Sequence, residues 1–260
     1  MEDFSINIHD LSIGYKEKKH NKIIAHSLNA TIPPGQLTCL IGTNGVGKST
    51  LLRTLSAFHS PLYGEIIIGD KKLSSYSSKE LSKTISIVLT EKINVYNMSV
   101  YELVSLGRSP YSGLWGKLNK KDKTIIEEAI QLVHISNLRN RAIQTLSDGE
   151  RQKSMIAKTL AQQTSIIFLD EPTAFLDFQS KIEILQLLRR ISKTKHRIVF
   201  FSTHDIDLAL RFSDKIWFMK KGGNLIIGSP EELSKDRRME IFSQECNTTL
   251  NNNSLLQSEA

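Results

Sequence analysis

The apolar run Leu37–Ile41 passes without a break into Gly42-Thr43-Asn44-Gly45-Val46-Gly47-Lys48-Ser49. A short continuous apolar run reads as a strand buried on both faces. The segment behind it fits in full the pattern of glycines, lysine and hydroxyl residue that wraps a phosphate chain. Glycines let the backbone curl closely, so that successive N–H groups point inward. A helix predicted from Lys48 to about His59 adds the positive end of its dipole. Lys48 would reach the β- and γ-phosphates of a nucleotide. Ser49 would set its hydroxyl on Mg²⁺, with Thr50 close by.

The rest of the chain alternates in the same way. Phe4–Ile8, Ala25–Ile32, Glu65–Ile68, Ile85–Leu89, Ile166–Leu169, Ile198–Phe201 and Lys215–Met219 read as strands. Val100–Leu106, Lys123–Val133, Glu150–Gln162 and about Gln179–Ser192 carry apolar residues at helical spacing. Strands alternating with helices predict an α/β fold with a mostly parallel sheet covered by helices. The helix-rich middle, with a loop at Arg108–Leu118, reads as a subdomain inserted in that core. The polar, asparagine-rich end Asn247–Ala260 reads as a frayed tail.

A length of 260 residues suits one large domain or a core with an insertion. No run approaches the roughly 18 apolar residues of a membrane-spanning helix. The acidic start Met1-Glu2-Asp3 lacks the features of a signal peptide, so a cytoplasmic location is expected. Cys39 and Cys246 form no metal-ligand spacing and no disulfide framework, and Cys39 reads as a core residue. The net charge of +7 comes from scattered basic residues, with short clusters at Lys16–Lys19 and Lys117–Lys123, and reads as a solvated basic surface.

A second chemical element follows the strand Ile166–Leu169, which ends in Asp170-Glu171. Two adjacent carboxylates at a sheet edge complete a nucleotide-hydrolysis site. Asp170 would hold Mg²⁺, through water. Glu171 would orient and activate the attacking water as general base.

Leu146-Ser147-Asp148-Gly149-Glu150-Arg151-Gln152 then narrows the field. It resembles the LSGGQ signature of ABC ATPases, with Asp148 and Glu150 as departures. As plain chemistry it is a serine and glycine opening a helix, which favours anions. Ala174-Phe175-Leu176-Asp177 resembles the D-loop of that family, His204 its switch histidine and Tyr15 the aromatic that stacks on adenine. The resemblance covers residues 4–235. It implies a P-loop ATPase fold: a RecA-like core, an antiparallel β subdomain and a helical subdomain at about 92–163, with 236–260 as a C-terminal extension. It also implies ATP and Mg²⁺ as ligands and a head-to-tail dimer with a second copy. Ser147 and Gly149 of one copy would meet the γ-phosphate held by the other, and separate membrane permease subunits would be driven.

The stretch Val100–Tyr111 carries a Gly-Arg-x-Pro pattern, Gly107 to Pro110. With Pro172–Asp177 it is similar to the ATPases of importers for iron–siderophore complexes, haem and cobalamin, most of all the ferric citrate and ferrichrome type. That resemblance implies a peripheral place on the cytoplasmic face of the membrane, an indirect partnership with a substrate-binding protein, and no nucleic-acid partner. ABC-type ATPases of translation usually carry two ATPase units, and those of DNA repair a long coiled coil. This chain shows one unit and no heptad run. One departure stands out: where the family has a glutamine after the strand Ile85–Leu89, this chain has Thr90-Glu91. An ungapped count favours Thr90; chemistry favours Glu91, whose oxygen could reach the metal.

Overall fold

The six-stranded sheet at the centre of the molecule owes its position to runs that are apolar on both faces. The computed structural model describes residues 4–17, 20–89, 97–113, 116–194, 196–220 and 222–235. In chain order the elements are β1 (Ile6–Lys16), β2 (Asn21–Ile32), β3 (Leu37–Ile41), α1 (Lys48–Leu55), β4 (Tyr63–Ile68), β5 (Lys71–Lys72), α2 (Ser78–Thr84) and β6 (Ile85–Val88). Then come α3 (Val100–Ser105), α4 (Lys120–Leu132), α5 (Asp148–Ala161), β7 (Ile166–Leu169), α6 (Phe178–Thr194), β8 (Ile198–Thr203), α7 (Ile206–Phe212), β9 (Lys215–Met219), β10 (Leu225–Gly228) and α8 (Pro230–Ser234).

The main sheet has the order β10-β9-β3-β8-β7-β6. Its pairings are parallel from β9 through β6, and only the edge strand β10 is antiparallel. Alternate residues of each strand enter two different cores, as the pleat requires. Leu37, Cys39 and Ile41 of β3, with Ile167 and Leu169 of β7, pack on the helical side. Leu40, Ile166 and Phe168 pack on the opposite side, with the leucines of α1 and a second sheet. That second sheet is antiparallel, in the order β2-β1-β4-β5. The sequence expectations of a mostly parallel sheet, an antiparallel β unit and a buried Cys39 agree with this arrangement.

Several boundaries differ from the sequence reading. β1 runs on past Ile8 to Lys16; register shifts after Ile8, where Asp10 has φ 44°, break the alternation by which a strand is read from sequence. The helix after the phosphate loop stops at Leu55 rather than near His59. α2, α7, α8, β5 and β10 were not anticipated.

The helices α3, α4 and α5 pack on one another, and one arginine binds them together. Arg108 is buried; its Nε donates to Asp122 Oδ1 at 2.9 Å and its Nη1 to the Ala161 carbonyl at 2.9 Å. Gly107 makes this approach feasible, since a Cβ there would lie 2.3 Å from the Lys158 carbonyl oxygen. The Gly-Arg pair that resembles a transporter subgroup is therefore a packing device in this chain. Among the described residues no helix is long and apolar enough to cross a membrane.

Candidate nucleotide site

Parallel strands bring their C-terminal ends to one edge, and open α/β sheets place ligands there. In this chain β3 ends at Ile41, level with Thr203 of β8, and Leu169 of β7 is level with Phe201. The residues that follow, Gly42, His204 and Asp170, therefore emerge side by side from three adjacent strands.

The loop from β3 into α1 has the shape of a cradle. Gly45 and Gly47 take left-handed backbone angles, φ 77° and 114°, that favour glycine. A Cβ at Gly42 would come 2.7 Å from the Met219 carbonyl oxygen, and one at Gly47 2.5 Å from Ile24 Cγ2, while Gly45 faces open space. Thr43 and Asn44 lie at the lip, and Val46 turns inward to the core. Lys48 Nζ folds back over the loop, donating to the carbonyl oxygens of Gly42 at 2.8 Å and Thr43 at 3.4 Å. Ser49 is exposed and Thr50 buried. The Tyr15 hydroxyl reaches to 3.3 Å from Thr50 Oγ1, and its half-exposed ring meets His59 edge to face at 5.6 Å.

The acids arrive from β7. Asp170 is buried, and its Oδ1 accepts a 2.6 Å hydrogen bond from the Ser202 hydroxyl. The same hydroxyl oxygen accepts from the Glu171 backbone N–H at 3.0 Å. Ser202 thus ties the Asp170 carboxylate to the Glu171 backbone, a role that its sequence position did not reveal. Glu171 has φ 50°, an uncommon angle for a residue with a side chain. Its Oε1 lies 3.7 Å from Lys48 Nζ, and its Oε2 lies 2.9 Å from His204 Nδ1. Burial works to raise the Glu171 carboxyl; the hydrogen bond and charge of His204, with the charge of Lys48, outweigh it and hold the pKa below its ordinary value. The same hydrogen bond raises the pKa of His204.

Lys48, Glu171 and His204 therefore form one connected chain, with Asp170 and the phosphate-loop glycines beside it. Such a site can seat a polyphosphate on backbone N–H groups, neutralise it with an ammonium and present an ionised carboxylate to water. The residues also fit Mg²⁺, which keeps several waters and needs only one or two carboxylates beside phosphate oxygens. No group of three or more His, Cys, Asp and Glu poised for a metal occurs among the described residues. Thr90 and Glu91 lie outside the described residues.

Ser147 caps α5, and Gly149 lies in its first turn. Among the described residues, the hydrogen bonds of Ser147 stay within residues 147–151. Its hydroxyl accepts from the Glu150 N–H at 3.2 Å, and the Glu150 carboxylate accepts from the Ser147 N–H at 2.8 Å, which makes a complete capping box. Gly149 packs on the loop before α6, where an added Cβ would meet Leu176 Cδ2 and the Phe175 carbonyl oxygen, each at 3.3 Å. Asp177 of that loop caps α6, accepting from Ser180 N at 2.9 Å.

Comparison with known proteins agrees with this geometry. Residues 25–174 match the model of the ABC transporter family. The chain belongs to that family. As an ABC cassette it is an ATP-binding protein and ATP hydrolase. It is 40% identical over 226 residues to an uncharacterized ABC transporter ATP-binding protein of Methanocaldococcus jannaschii, covering 87% of this cassette and 77% of that protein. It is 36% identical over 239 residues to the iron(3+)-hydroxamate import ATP-binding protein of Bacillus subtilis, covering 92% and 87%. Among solved structures it resembles an inward-facing ABC transporter assigned to the metal-chelate type, with TM-score 0.78, 25% identity, and 92% and 89% coverage. It also resembles the dimeric structure of a bacterial ABC transporter cassette, with TM-score 0.77, 26% identity, and 86% and 98% coverage.

Proposed function

We propose that the chain couples ATP hydrolysis to uptake of an iron–siderophore, haem or cobalamin-type substrate, as one half of a head-to-tail dimer. Residues 4–235 would act as one ATPase unit, with residues 92–163 as its helical insert. One observation carries the dimer: Lys48, Glu171 and His204 converge, while among the described residues the hydrogen bonds of Ser147 stay at the start of α5. A second copy placing its Ser147 over the phosphate loop would complete the site. The dimeric cassette structure that this chain resembles supports that pairing.

In this reading the phosphate-loop N–H groups and Lys48 bind the β- and γ-phosphates, and Tyr15 lies against the base. Glu171 takes a proton from the attacking water, and His204 orients the carboxylate and meets the γ-phosphate. Ser49, Asp170 and Glu91 would hold Mg²⁺, which supplies neutralisation of phosphate charge when bound. The likeness to the iron(3+)-hydroxamate import protein supports the cargo class. The chain would sit on the cytoplasmic face of the membrane against a permease that works with a substrate-binding protein. A groove of about 500 Å³ beside β6 suits such a partner, with Phe58 on its rim, 63% exposed, and Leu81 and Ile87 in its wall.

The test is co-expression with a candidate multi-span permease, then purification and reconstitution in vesicles with its binding protein. Joint purification and ATP-driven accumulation of a ferric siderophore are expected. Purification of the chain alone, with ATPase activity indifferent to every permease, would overturn the transport reading.

A further inference from the structure

A cavity of about 480 Å³ opens between α4, the end of α5 and the end of α6, away from the nucleotide site. Ile125, Ala129, Leu160 and Ile191 form an apolar lining that is buried from solvent. Arg190, Arg197 and Glu128 add charge, and His134 adds an imidazole. This volume falls within the range of small-ligand pockets, which pair an apolar wall with a few polar anchors.

The two arginines differ from the other guanidiniums around them. Arg108 is satisfied by Asp122 and the Ala161 carbonyl. On α6, Arg189 and Lys193 both engage Asp214. Among the described residues, neither the Arg190 nor the Arg197 guanidinium has a hydrogen-bonded or ion-paired partner, although Glu128 lines the same cavity. Arg197 is only partly exposed, and burial lowers its pKa, with the Tyr111 hydroxyl acting the other way. A partly desolvated cation without a partner is costly, and an incoming anion removes that cost.

We propose that this cavity binds a small amphiphilic carboxylate, its acid group on Arg197 and Arg190 and its apolar body against Ile125, Ala129 and Ile191. The charge balance favours a monoanion. Two arginines against one glutamate leave one arginine charge in excess on the lining, which suits a carboxylate better than a phosphate dianion. The occupant would touch α4 and the end of α5 on one side and α6 and the approach to β8 on the other. It would therefore bridge the helical layer and the sheet.

The test is calorimetric titration of the full chain with octanoate, with octanol and octyl phosphate as controls. Saturable one-to-one binding of octanoate, tighter than either control, is expected. Arg197→Gln should weaken it at least tenfold and Arg197→Lys less. Nucleotide binding by each variant reports that the chain remains folded. Absent saturable binding, equal binding of octanol, tighter binding of octyl phosphate, or octanoate affinity unchanged in Arg197→Gln would each overturn the proposal.

Discussion

His204 Nδ1 lies 2.9 Å from Glu171 Oε2, joining the residue that follows β8 to an acid beyond the end of β7. The other oxygen of that carboxylate faces Lys48. Lys48 and His204, both proposed to act on ATP, thus meet the two oxygens of one carboxylate.

This contact predicts a pH-dependent stability. The folded pKa of His204 is raised by its hydrogen bond to Glu171, against an ordinary value of 6.5. Its stabilising contribution is then fully present below 6.5 and lost as pH rises through the folded pKa. His204→Gln should lower the melting temperature of the nucleotide-free chain more at about pH 6 than at about pH 9. The effect should be modest, because the imidazole is 57% exposed. An equal loss at both pH values would show that the pair contributes packing alone.

Lys48 and Glu171 should fail in different ways. Lys48→Ala removes the cation proposed to meet the phosphates, so nucleotide binding should weaken strongly. Glu171→Gln keeps size and shape but is a poor base, so ATP should still bind while turnover falls by about 10²–10⁴-fold. Nucleotide titration beside steady-state phosphate release separates the two effects. Near-normal turnover in Glu171→Gln would remove that residue from the base role.

The buried pair on the helical side should be costly to break. Arg108→Ala or Asp122→Ala leaves one charge buried without its partner, and a loss of about 3–5 kcal/mol is expected. Arg108→Met combined with Asp122→Leu should lose less than either single change, because both charges leave together. Denaturant unfolding of the three variants measures this.

What the sequence disclosed follows from where signals are strong. Leu37–Ile41, Ile166–Leu169 and Lys215–Met219 were readable to the residue because apolar side chains fill both faces of the main sheet. α2 buries no residue, so it has no apolar stripe to read; its one signal was the capping box of Ser77 and Glu80. β10 is a half-buried edge strand and gives little alternation. At the site, Lys48, Asp170, Glu171 and His204 were legible because their chemistry sits in ordered motifs. Ser202 was not, since a serine near a strand end is common and only the register of β7 on β8 places it beside Asp170. The partnership of Arg108 with Asp122 was hidden for the same reason: it depends on how α3 and α4 pack.

The signature turn carries its own expectation. Glu150 holds Ser147 in a capping box, and its carboxyl pKa is lowered first by the Ser147 N–H bond. Glu150→Gln should keep the box, since glutamine serves the same position. It should also tighten the ATP-driven dimer, by removing a negative charge from the face proposed to meet phosphate. Sedimentation of the Glu171→Gln chain with and without the added change compares the two affinities, and a weaker dimer would contradict this.

Light scattering of the Glu171→Gln chain with ATP reports whether the site is shared between two copies. A monomer without nucleotide, a dimer with ATP, and return to monomer when ATP is removed are expected. Adding Ser147→Arg should abolish the dimer while leaving ATP binding to the monomer. A dimer that forms without ATP, or one indifferent to Ser147→Arg, would contradict a shared site.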